Sequence, residues 1–90
     1  MDSFDGIYQQ SVDKVYRFLL RLTRDPDLAE ELTEETFYRA YLHLDQFEGR
    51  CTADTWLCQI ARNAFLDEEK RRKRSLSLEE RIVSGFLRFK

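Results

Sequence analysis

Asp25-Pro26-Asp27-Leu28-Ala29-Glu30-Glu31-Leu32-Thr33-Glu34-Glu35-Thr36-Phe37-Tyr38-Arg39-Ala40-Tyr41-Leu42-His43-Leu44 is the stretch that decides the fold. It opens as a helix start should. The Asp25 carboxylate can accept the unpaired N–H groups of a first turn, and Pro26 suits the first helical position because it has no N–H to leave unpaired. Asp27, Glu30 and Glu31 complement the positive end of the helix. At about 100° per residue, Ala29, Leu32, Thr36, Phe37, Ala40 and Leu44 form one stripe, the core side of a helix running to about Leu44. The opposite side gathers Glu31, Glu34, Glu35, Tyr38 and Leu42. Apolar anchors inside a charged rim suit a protein-docking surface. Periodicity alone leaves an equal alternative, in which Tyr38 and Leu42 pack against another helix of the same bundle.

Upstream, Phe4, Ile7, Tyr8, Val12, Val15, Leu19 and Leu22 recur at three- and four-residue spacing, which predicts an amphipathic helix ending near Arg24. Downstream, Asp45-Gln46-Phe47-Glu48-Gly49-Arg50 reads as a break punctuated by Gly49. Thr52 or Asp54 caps a third helix with Leu57, Ile60, Ala61 and Ala64 as its buried stripe, running on into Lys70-Arg71-Arg72-Lys73-Arg74. Ser77-Leu78-Glu79-Glu80 has the form of a capping box, and Leu78, Ile82, Phe86 and Phe89 form a short stripe behind it. No period-two pattern and no internal repeat is present. The expectation is an all-α protein: a compact bundle of three main helices plus a short C-terminal helix.

Ninety residues, 42% hydrophobic and 13% aromatic, suffice for one small core and argue against global disorder. The longest aliphatic or aromatic run, Phe18-Leu19-Leu20, is far too short for a membrane span. Met1-Asp2-Ser3-Phe4-Asp5 lacks the cationic start and apolar stretch of a signal peptide, so a cytoplasmic location is expected. A lone histidine, His43, and three scattered glycines leave no acid–base pair, nucleophile arrangement or phosphate-cradling loop. His43 itself falls on the core side of its helix and reads as a partly buried packing residue. Cys51 and Cys58, seven residues apart, would lie roughly 10 Å from each other on one helix, too far for a disulfide. With His43 they offer a zinc ion three ligands at no finger spacing, so they read as small, half-buried thiols. No enzyme activity, metal or cofactor is expected.

A formal charge of −2 conceals a segregation. Without the five cations of residues 70–74, ten cations face seventeen carboxylates. Much of that acid lies in residues 25–48, opposed there only by Arg39. An acidic segment followed by a basic one points to two partners of opposite sign. On the third helix, Trp56, Gln59, Asn63, Lys70 and Arg74 share one flank. An aromatic plane, amides and then cations are what an unstacked nucleic-acid strand needs: a ring to stack on, a group to read a base edge, and charges for the phosphates. The plainer readings are an edge-of-core Trp56 and a solvated helix end favoured by the helix dipole.

Taken together, Asp27-Leu28-Ala29-Glu30-Glu31-Leu32-Thr33-Glu34-Glu35-Thr36-Phe37-Tyr38-Arg39-Ala40-Tyr41, Phe47-Glu48-Gly49-Arg50 and Thr55-Trp56-Leu57-Cys58-Gln59-Ile60-Ala61-Arg62-Asn63-Ala64-Phe65-Leu66-Asp67, followed by the basic run, resemble region 2 of bacterial extracytoplasmic-function sigma factors. The resemblance reaches from about the first helix to Arg74 and rests on several motifs in order.

What the resemblance implies is transcription initiation. Its domain 1–74 would dock on the clamp helices of the β′ subunit of core RNA polymerase and help melt the promoter at its minus-ten element. Glu31, Glu34, Glu35, Phe37 and Arg39 match the polymerase-binding stretch, to which the wheel adds Tyr38 and Leu42. Phe47, Glu48, Gly49, Arg50, Cys51, Thr52 and Ala53 match the loop that receives a base flipped from the non-template strand of promoter DNA. Trp56, Gln59, Arg62 and Asn63 fall on the helix beside that pocket, and Lys70, Arg71, Arg72, Lys73 and Arg74 on its backbone-contacting end. Five phosphate contacts would give a single-strand salt slope of roughly −3.5. Two departures stand out: Glu34 replaces a usual Gln, and Cys58-Gln59 replaces an aromatic followed by Arg. Residues 75–90 match a linker, or its beginning, toward a second helical domain, so the chain reads as part of a longer protein. An anti-sigma partner, often membrane-held, is a further implication, with no membrane insertion by this chain. The rival is a helical adaptor with no nucleic-acid role.

Overall fold

The computed structural model describes the backbone of residues 4–47, 49 and 51–88, with side chains up to residue 75. The helices are α1 (Phe4–Thr23), α2 (Pro26–Leu42) and α3 (Ala53–Arg88), with one 3-10 turn, Leu44–Gln46, after α2. Among the described residues no strand occurs, in agreement with the all-α expectation.

Each boundary has a local cause. Arg24 adopts φ 55°, the left-handed conformation that ends many helices, and its N–H donates to the Leu20 carbonyl at 2.8 Å. One residue on, the Asp25 carboxylate accepts from the Asp27 and Leu28 N–H groups at 3.1 and 3.3 Å, with Pro26 behind it. At α3 the cap is Thr52, whose Oγ1 accepts the Thr55 N–H at 3.2 Å. Asp54, the other candidate, is turned to a different task described below. Gly49 has φ +74° with open space around the position of a Cβ, so the need for glycine there is conformational.

The core is where the three stripes meet: Val15 and Leu19 from α1, Leu28, Ala29, Leu32, Phe37 and Ala40 from α2, and Leu57, Ala61 and Ala64 from α3. Four of these ten are alanines, and Thr36 and Ser11 are also buried, so the helices approach closely over small side chains. Thr33 and Thr36 donate to the carbonyls of Ala29 and Leu32 at 2.7 and 2.6 Å, which removes the cost of burying their hydroxyls.

Three expectations are corrected. α2 stops at Leu42 rather than Leu44, and His43 caps it with its N–H on the Arg39 carbonyl; the early stop turns His43 out to solvent instead of into the core. Tyr8 and Leu22, counted in the α1 stripe, are 44% and 39% exposed, while the polar Ser11 is buried. No helix begins at Ser77: α3 continues through it to Arg88. Neither glycine nor proline occurs between Arg50 and Ser84, and a capping signal cannot start a helix where the preceding residues already propagate one. The helix therefore projects beyond the bundle, and the molecule is 66 Å long but only 25 × 18 Å across.

Candidate polymerase and nucleic-acid surfaces

Among the described residues, no other helix covers the outer face of α2. Glu31, Glu34 and Glu35 are exposed, as are Tyr38 at 60% and Leu42 at 52%, so these two do not pack on another helix of the bundle. Tyr41, which the wheel reading passed over, joins them at 63% exposure and meets Phe4 of α1 edge-on at 5.4 Å. Phe37 is different. It is 4% exposed and meets Phe4 and Tyr8 edge-on, so it braces the face from behind and presents nothing to a partner.

Arg39 is half-buried at the inner edge of this face. Its Nε donates to Glu35 at 2.9 Å and its Nη1 to Asp67 of α3 at 3.0 Å. The Glu35 hydrogen bond, with Asp67 adding to it, holds the guanidinium still more firmly in its charged form. The acidic face is thereby pinned to the helix that carries the indole.

A second surface begins at the loop between α2 and α3. Phe47 and Trp56 lie ring to ring at 4.8 Å with planes 32° apart, both half-buried, and Trp56 also packs on the core. Cys51 and Ala53 are half-buried, Gly49 and Thr52 exposed, and Glu48 and Arg50 lie outside the described residues. A hollow opens here, floored by Ile7 and Leu44 and edged by Phe47, Thr52 and Ala53. At its side Asp54 accepts from the buried Ser11 hydroxyl and from Lys14 Nζ at 2.7 Å. Those hydrogen bonds, Lys14 first and Ser11 second, hold the Asp54 carboxyl below the usual range. Motif reading missed this three-residue network, since nothing local links position 11 to position 54.

Along the outward side of α3, Gln59, Arg62, Asn63 and Leu66 are exposed, and Leu66, at 43%, is an exposed apolar side chain the charge-based reading did not pick out. Cys58 faces the cleft between α1 and α3 beside Phe18, where burial above all pushes its thiol up and keeps it protonated. The basic run is exposed throughout but not uniform: Arg71 and Arg72 are paired with Glu68 at 2.8 and 3.2 Å. Among the described residues there is no group of His, Cys, Asp and Glu able to hold a metal, and no helix long and apolar enough to cross a membrane.

The structure thus presents an acidic–aromatic face on α2, and amides and cations along α3 beyond a ring pair shared by Trp56 and the loop residue Phe47. A profile of sigma-70 region 2 matches residues 7–75. The chain belongs to the sigma-70 region 2 family. It is 40% identical to the ECF RNA polymerase sigma factor SigM of Bacillus subtilis over 92% of its own length and 50% of that protein's. It is 39% identical to SigE of Mycolicibacterium smegmatis, covering 82% of this chain and 28% of the relative, and 31% identical to SigW of Bacillus subtilis, covering 91% and 44%. The region 2 chain thus spans half, or less, of the length of these relatives, and its likeness to the extracytoplasmic-function group agrees with the motif reading.

Proposed function

We propose that this region 2 chain serves bacterial transcription initiation by binding, without covalent chemistry. The outer face of α2, through Glu31, Glu34, Glu35, Tyr38 and Leu42 with Arg39 at its edge, docks on the β′ clamp helices of core RNA polymerase. The loop of residues 47–53 and the flank of Trp56, Gln59, Arg62 and Asn63 receive bases unstacked from the non-template strand at the minus-ten element. The basic end of the run holds phosphates. The observation that carries this reading is that the two surfaces lie on different helices, both open to solvent, joined by the Arg39–Asp67 ion pair. Because α2 and α3 also share one core, a partner holding α2 sets the position of α3.

Magnitudes give the domain a dependent role. Stacking contributes about 1–3 kcal/mol per base, while extruding a nucleotide costs a few kcal/mol. The free chain binds single strands weakly and duplex hardly at all, and the polymerase supplies the encounter. The same surfaces suit an anti-sigma partner, and the site of action is the cytoplasm. The test is capture of core polymerase by the chain, followed by promoter opening read by fluorescence. Capture of polymerase with no effect of Trp56→Ala or Asn63→Ala on opening would leave only an adaptor role.

A further inference from the structure

The five cations of residues 70–74 do not share a face. Taking about 100° per residue, Lys70 and Arg74 fall within about 30° of the line joining Trp56 and Asn63, and Lys73 lies on the open side next to Leu66. Arg71 is rotated about 70° the other way, toward α2, and lines the α2–α3 groove with Glu31, Glu35 and Glu68. Arg72 points almost directly away from the indole–amide line. Glu68 receives both: Arg71 Nη2 donates to its Oε1 at 2.8 Å and Arg72 Nε to the same oxygen at 3.2 Å. The Glu68 side chain is only 15% exposed, and acid preceding base by three or four residues is the favourable order on a helix. Among the described residues, Lys70, Lys73 and Arg74 have no carboxylate partner.

We propose that Glu68 keeps Arg71 from the nucleic-acid face, from which Arg72 already points away, so that the strand is anchored by Lys70, Lys73 and Arg74 alone. Glu68 is then a positioning residue that limits how tightly the domain holds single strands. The inference rests on the strand-binding reading above. Three phosphate contacts correspond to a salt slope of about −2 in place of the −3.5 expected from all five.

The test is binding of the 90-residue chain to a fluorescein-labelled oligothymidylate, by anisotropy, between about 50 and 200 mM salt. Lys70→Gln should weaken binding and flatten the slope by about 0.7, whereas Arg71→Gln and Arg72→Gln should leave both unchanged. Glu68→Gln should free Arg71 to reach across, tightening binding severalfold and steepening the slope by about 0.7. Glu69→Gln is the control. It removes the same charge from an exposed, unpaired carboxylate at about the same angle from the Trp56–Asn63 line, and should change affinity less than Glu68→Gln. Equal effects of the two glutamate variants would reduce Glu68 to bulk charge and overturn the proposal. So would losses in Arg71→Gln or Arg72→Gln as large as in Lys70→Gln, a comparison that does not depend on the Glu68 variant folding. Wild-type chain that binds no strand at all would remove the underlying reading, a result distinct from either.

Discussion

Arg39 of α2 and Asp67 of α3 are joined at 3.0 Å across 28 positions of sequence, and Arg39 is held at the same time by Glu35 at 2.9 Å. The acidic face and the indole–amide flank belong to helices that share one core, and this pair ties their edges together. With side chains 31% and 58% exposed, the pair is screened by water, and a double-mutant cycle of Arg39→Gln and Asp67→Asn should give a coupling of only about 0.2–1 kcal/mol in urea melts. Promoter opening should suffer more than stability does, because the pair lies between the two proposed surfaces and adjusts an orientation that the core packing sets.

Asp54 predicts a pH dependence. Its carboxyl is depressed in the folded state by Lys14 and Ser11, so its contribution to stability is complete above the unfolded value of about 4 and is lost as the pH falls through the lower folded value. Lys14, raised above its usual 10.5 mainly by the hydrogen bond to Asp54, stabilises fully below 10.5, and that stabilisation is lost as the pH rises through its higher folded value. Asp54→Asn should lower the thermal midpoint at neutral pH, and the gap from wild type should close in acid. A constant gap from pH 7 down to pH 2 would remove the charge from the explanation.

Asn63 and Trp56 separate recognition from folding. Asn63 is exposed, so Asn63→Ala should leave stability within about 0.5 kcal/mol while reducing promoter opening. Trp56 also packs on Phe47 and the core, so Trp56→Ala should cost about 1–3 kcal/mol, less than a fully buried tryptophan. Trp56→Phe should recover most of the stability and part of the stacking. Chemical melts alongside opening assays check both.

Tyr38 and Leu42 stand clear of the bundle. Replacing either by Ala should weaken binding to core polymerase by at least about fivefold, with stability unchanged and single-strand binding intact. Phe37→Ala should do the opposite first, costing about 3–5 kcal/mol through the cavity it leaves among Phe4, Tyr8 and the core. Thermal melts and polymerase capture distinguish the two kinds of loss.

Gly49→Ala meets no atom, yet forces alanine into φ +74°, at a cost of roughly 1–2 kcal/mol in the loop alone. Strand binding should fall with little change in the global melt, since the loop lies outside the core.

Much of this molecule is legible one helix at a time. The Asp25–Pro26 start, the α2 stripe of Ala29, Leu32, Thr36 and Ala40, its acidic outer side and the Gly49 break depend on caps, periodicity and backbone preference within a few residues. The pairing of Glu68 with Arg71 and Arg72 was equally open to a helical wheel. The wheel places Lys70 and Arg74 on the Trp56 flank but was not carried on to Arg71, Arg72 and the acid that precedes them. The Ser77 capping box misled for a related reason: a local start signal means little where the helix is already under way.

Sequence alone thus determined the starts of α2 and α3, the core stripe of α2 and, through the order of its motifs, the sigma-70 region 2 family; that Tyr38 and Leu42 face outward took the structure. Only the tertiary structure decided that Phe37 braces from within, that Tyr41 joins the outer face, that Ser11 and Lys14 hold Asp54, and that Arg39 reaches Asp67. Each of those depends on how helices are rotated and set against one another, and that is chosen by the packing of Val15, Leu19, Leu57 and the alanines across the whole core. No period along a single helix contains it.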